Sequence, residues 1–146
     1  MKQIIMAFTG VGKSELIKRN SDKKIIDLDT SNFKKKEGWE KFYVNVALAY
    51  QELGYLVLIC WYGESIVSEL NARNATYVLV YPALESKQEY ISRFIARNDS
   101  DDFVTSLNKN WESIICEIER SKAKNKYILK TNEFLSDYVK QNNILG

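Results

Sequence analysis

A chain of 146 residues that is 45% hydrophobic and 12% aromatic suits one ordinary domain with a real core, and its composition is not that of a disordered segment. A formal net charge of +2 argues against a general nucleic-acid or membrane-binding face. The chain has no histidine, which removes Ser-His-Asp and Cys-His catalysis and the usual zinc sites, so any proton acceptor must be a carboxylate, a lysine or a tyrosine.

In chain order, KQIIMA at 2–7 predicts a buried first strand and 11–19 a helix. KKIIDL at 23–28 predicts a second short strand. Residues 38–53 place Trp39, Phe42, Val46, Ala49, Tyr50 and Leu53 at helical spacing, with Gly54 as a stop. YLVLICWY at 55–62 is nearly all apolar, as a strand covered by helices on both faces should be. A short helix over 64–73 turns Ile66 and Leu70 inward, and TYVLVY at 76–81 predicts a strand stopped by Pro82. Residues 86–97 read as a helix with a Ser86/Glu89 capping box and an apolar face of Tyr90, Ile91, Phe94 and Ile95. A long helix over 101–121 carries Phe103, Leu107, Trp111, Ile114, Ile115 and Ile118 on one side, with Trp111 in the core. KYIL at 126–129 is the last strand, and 132–141 a closing helix with Phe134, Leu135, Tyr138 and Val139. Five short apolar strands alternating with helices predict a three-layer α/β architecture, a doubly wound sheet that binds ligands beyond the carboxyl ends of its strands.

The residues after the first strand are AFTGVGKS, 7–14. Gly10 and Gly12 free the backbone to wrap around phosphate oxygens, and the N–H groups of this stretch, Thr9 to Glu15, open the following helix at its positive end. Lys13 can reach the β- and γ-phosphates of a nucleotide, and the Ser14 hydroxyl can ligate Mg²⁺. The usual pattern has glycine where this chain has Ala7, a position where an ordinary negative φ suffices. After the second strand, IIDLDTSNF puts Asp27 and Asp29 on one side of the chain. Two carboxylates beside a triphosphate suit magnesium-bound water and the proton of an attacking hydroxyl or phosphate; the bland alternative is a pair of solvated loop aspartates.

FTGVGKS followed by IIDLDTSNF resembles the compact P-loop kinases, the nucleoside monophosphate kinases and the shikimate- and gluconate-kinase group. The resemblance implies a five-stranded parallel sheet of order 2-3-1-4-5 and one kinase-like domain. It places an acceptor-side segment at about 30–54 and a short lid at about 86–102. It also implies ATP and Mg²⁺, with Asp27 acting through magnesium-bound water and Asp29 meeting the acceptor. Lid arginines would be Arg93 and Arg97, four apart on one helix face; the alternative is an Arg93–Glu89 pair with both arginines solvated. Lys34, in the KKK run at 34–36, is either a contact for an acceptor phosphate or part of a solvated charge run. Tyr62 and Gly63, at the end of the third strand, are further acceptor-side candidates, while Trp39, Phe42 and Tyr43 either stack on an acceptor base or face the core.

The third strand ends without the aspartate that many P-loop proteins carry there. That leaves two expectations. One is a kinase acting on a nucleotide or nucleoside; the other is an ATP-binding or slowly hydrolysing accessory protein. No stretch approaches 18 apolar residues and no leader-like N-terminus is evident, so no membrane span is expected; no basic-aromatic stripe appears, so no nucleic-acid partner is expected. Cys60 and Cys116 lack C-x-x-C spacing and read as buried thiols in a reducing compartment, hence a cytoplasmic protein; a monomer or homodimer is expected.

Overall fold

The computed structural model describes residues 3–146; Lys2, part of the first predicted strand, lies outside the described residues. The apolar runs become β1 (Ile4–Ala7), β2 (Ile25–Leu28), β3 (Leu56–Cys60), β4 (Tyr77–Pro82) and β5 (Lys126–Leu129). They form one sheet of order β2-β3-β1-β4-β5 with every pairing parallel. Between and after them run α1 (Lys13–Arg19), α2 (Trp39–Glu52), α3 (Glu64–Ala72), α4 (Lys87–Ala96), α5 (Asp101–Arg120) and α6 (Leu135–Gln141).

Right-handed crossovers dictate the layers. The connection from β1 to β2 runs one way along the sheet and every later one runs the other way. So α1 lies on one face, joined by α6, and α2, α3 and the α4–α5 pair lie on the other. The packing agrees: α1 meets α6, α2 meets α3, and α4 meets α5. Every residue of β1 and β4 is buried, which is why their sequences run apolar without alternation. No helix among the described residues is long and apolar enough to cross a membrane.

Trp111 fastens α5 to this core. It is fully buried, its indole N–H donates to the Leu84 carbonyl at 2.8 Å, and its ring meets Phe8 and Tyr90, each at a centroid distance of 5.6 Å. Phe8 is the residue that leaves β1 for the phosphate loop, so this packing sets the loop's starting point. Trp111→Phe should lower stability by about 2–3 kcal/mol, because it orphans the Leu84 carbonyl and leaves a void; a shift in the denaturant midpoint at constant m-value is the readout.

Several local expectations are corrected. Pro82 ends β4 from within the strand instead of following it. Ser86 does not cap α4 with its side chain, and Glu89 turns to Arg93 and to the Asn132 N–H instead. Phe42, Ile95 and Phe134 are exposed although their spacing matched an apolar face. Cys60 and Cys116 are free thiols, but each is partly exposed and not buried.

Candidate active site

The carboxyl ends of β1, β2 and β3 converge on a cavity of about 820 Å³. Thr9, Gly10, Gly12, Lys13, Ser14 and Glu15 line its floor, and Asp27, Asp29 and Cys60 line one wall. Arg93 and Arg97 reach it from the α4 side.

The loop's conformation requires its glycines. Gly10 has φ +82° and a Cβ there would lie 2.7 Å from the Phe94 ring; Gly12 has φ +99°. Ala7 is buried in the strand with no positive φ, so glycine is unnecessary there. Val11 is fully buried and its carbonyl accepts the Leu135 N–H at 2.9 Å, tying the loop to the start of α6. Glu15 pairs on the surface with Arg19, so its backbone and not its carboxylate belongs to the loop.

Lys13 Nζ rests against Cys60 Sγ at 3.1 Å. Cys60 is the last residue of β3 and sits beside Ala7 in the sheet, so a thiol holds the strand end where an aspartate was sought. A thiol is a weak acceptor, and a phosphate would draw the ammonium away from it easily.

The two aspartates have opposite electrostatics. Asp27 lies in β2 beside Leu58, and its Oδ1 is buried with no hydrogen-bond partner. Burial pushes its carboxyl above the usual range, with Lys13 opposing and Asp29 adding to the rise. Asp29 is exposed and caps a single 3₁₀ turn, Thr30–Asn32, where its Oδ1 accepts the Ser31 N–H at 2.9 Å. That backbone bond holds its carboxyl below the usual range, assisted by Lys13 and Lys35.

Asp27, with its orphaned carboxylate oxygen, lines the same cavity as Lys13 and Ser14, a donor set that would fit a magnesium ion keeping its waters. Among the described residues no three acidic or thiol groups form a metal cage of their own, so the ion would come with the triphosphate.

Arg93 is bound on several sides. It donates to the Gly10 carbonyl at 2.8 Å, pairs with Glu89, and lies between the rings of Tyr90 and Phe134 at 4.3 and 4.0 Å from their centroids. Glu89 in turn accepts the Asn132 N–H at 2.9 Å. One guanidinium therefore ties the phosphate loop, α4 and the β5–α6 loop together. Arg97 is freer: it pairs with Asp99 and reaches the Thr9 hydroxyl at 3.4 Å. Within the segment 86–102 expected to form a lid, α4 passes to α5 through the turn 97–100, closed by Asn98 and Asp99 N–H bonds back into α4, with Ser100 capping α5.

The acceptor-side candidates divide. Asp29 lines the cavity, but Tyr62 turns aside to meet Trp39 edge-on at 4.9 Å, and Lys34 lines a separate groove. Gly63 begins α3, whose Glu64 accepts the Lys122 N–H, away from the cavity. The wall is instead completed by Trp61, Leu107 and Ile114, none of which the sequence reading singled out for the site. The seven-residue spacing of Leu107 and Ile114 puts them on one face of α5, the available signal. Lys35, whose ammonium lies 5.0 Å from the Trp39 centroid, was hidden in its lysine run.

No family model matches the chain, and no curated protein does. Solved structures do match it. A shikimate kinase from Bacteroides thetaiotaomicron is 15% identical with a TM-score of 0.53, covering 98% of this chain and 94% of that one. An uncharacterized protein from Eubacterium ventriosum is 11% identical with a TM-score of 0.51, covering 99% and 98%. At these identities the likeness is one of fold: the chain has the compact P-loop kinase fold, with its sheet order and over its whole length.

Proposed function

We propose that the protein transfers the γ-phosphoryl group of ATP to a small acceptor, a nucleotide or nucleoside being the first choice. The observation that carries this is the meeting of Lys13, Asp27 and Asp29 on one cavity at the mouth of a phosphate loop.

Each residue has a task in that reading. The loop amides and Lys13 hold the β- and γ-phosphates in line with the acceptor. Asp29, ionised at neutral pH, orients the acceptor hydroxyl and takes its proton. A loose transition state needs little help from a strong base, so a depressed carboxyl suffices. Arg97 is the side chain free to leave Asp99 for a phosphate oxygen. Arg93 is a positioning residue, acting through the Gly10 carbonyl. Ser14 and Asp27 would hold a magnesium ion, which when bound offsets charge on the triphosphate. Trp61, Leu107 and Ile114 offer the acceptor an apolar wall.

An accessory role without transfer is favoured by one feature, the thiol of Cys60 in place of a strand-end carboxylate. The two readings part in a coupled ADP-release assay over nucleoside monophosphates, nucleosides and sugar acids. We expect release that saturates with one acceptor class. Release that ignores every acceptor while ATP still binds would leave the accessory role.

A further inference from the structure

A second groove, of about 470 Å³, opens a few residues beyond Asp29. Its walls are aromatic, with Phe33, Trp39 and Phe42, and Lys34 and Lys36 line it beside one acid, Glu37. Phe42 is 61% exposed, an unusual position for a phenylalanine in a helix that packs on a sheet. Phe33 meets it edge-on at 5.9 Å and braces the ring while most of its surface stays open.

The groove is separate from the cavity but adjoins it along the chain. Asn32 lines the groove and its N–H donates to the Asp29 carbonyl at 3.2 Å, while Asp29 itself lines the cavity. Lys35 lines neither space: its ammonium is bonded to the Thr30 and Phe33 carbonyls and placed over Trp39 and Tyr62. A lysine rim around the open Phe42 ring is poor chemistry for an apolar protein helix. It is good chemistry for a planar base carrying a phosphate, since any base can stack and any phosphate can pair.

We propose that this groove seats the nucleotide adjoining the acceptor nucleoside, so that the acceptor is a terminal hydroxyl of a single-stranded nucleic acid. The inference rests on the kinase reading above and runs against the expectation of no nucleic-acid partner. In the transfer, the bond from the γ-phosphorus to the β,γ-bridging oxygen breaks and one to the terminal oxygen of the strand forms. The hydroxyl proton passes to Asp29, and the products are ADP and an end-phosphorylated strand.

The test measures anisotropy of a labelled short oligothymidylate, competed by thymidine monophosphate, alongside ADP release with each as acceptor. The oligomer should bind more tightly than the mononucleotide and be turned over. Phe42→Ala should weaken it by about tenfold or more, the scale of one lost base–aromatic stack. The pair Lys34→Gln with Lys36→Gln should flatten its salt dependence. Melting curves of both variants show whether the fold is intact, and Phe42 is exposed enough to remove safely. An oligomer that binds no better than the mononucleotide, or binds the variants equally well, overturns the proposal. If mononucleotides alone are turned over, this inference fails and the kinase reading stands. Turnover of neither acceptor also overturns this inference, and the kinase reading is then decided by the wider acceptor panel above.

Discussion

Asp29→Asn should lower acceptor-dependent ADP release by about 10²- to 10⁴-fold, the usual worth of a positioned proton acceptor, with ATP affinity nearly unchanged. The substitution is informative because of what it preserves. Asp29 caps the Thr30–Asn32 turn through Ser31, and asparagine caps such a turn about as well as aspartate. The amide oxygen can still accept the Ser31 N–H, so geometry survives while charge and basicity go. Alanine would confound the two. Stopped-time ADP release with saturating acceptor, beside nucleotide titration by anisotropy, separates chemistry from binding. A variant that keeps most of its turnover would remove Asp29 from the chemistry.

Asp27→Asn should have a double signature: a more stable protein that has lost magnesium-dependent function. Burial raises the Asp27 carboxyl, so its ionised form is less favourable in the folded chain than in the unfolded one. The folded state then binds the proton more tightly, and stability falls as pH rises from the ordinary carboxylate value, about 4, through the raised one. The neutral amide escapes this. Its melting temperature should exceed the parent's by about 2–4 °C per kcal/mol gained at pH 7, with the gain vanishing below about pH 4. Asp29 runs the other way: its lowered carboxyl contributes stability above the ordinary value and loses it as pH falls through the folded one. The same variant should lose the part of the ATP-induced thermal shift that depends on added magnesium. A lower melting temperature at pH 7 would mean that Asp27 has a partner in solution.

The parts legible in the sequence were those encoded locally. Gly10 and Gly12 are demanded by positive φ and by the Phe94 ring, and a glycine loop between an apolar run and a helix announces that demand. The strands were legible because a parallel sheet buried on both faces needs unbroken apolar runs. The acceptor side was harder, because tertiary packing decides it. Helical spacing put Phe42 with the core, yet the helix turns Trp39 and Tyr43 inward and leaves Phe42 on the groove. Ser86 and Glu89 have capping spacing, but a charged bond to Arg93 outcompeted the local one. Trp61 and Tyr62 are neighbours that face different spaces, which no periodicity within a strand end could assign.

The turn 97–100 bears on timing. In kinases with a long lid, closure shields the phosphoryl group from water and reopening can pace the cycle. Here Asn98 and Asp99 fold straight back onto α4, and Ser100 starts α5 at once. If the proposed kinase closes no more than this turn over its phosphates, its clock would be bond rearrangement and not hinge motion. The same openness admits solvent, and fidelity toward the acceptor over water would then rest on how firmly the acceptor is held.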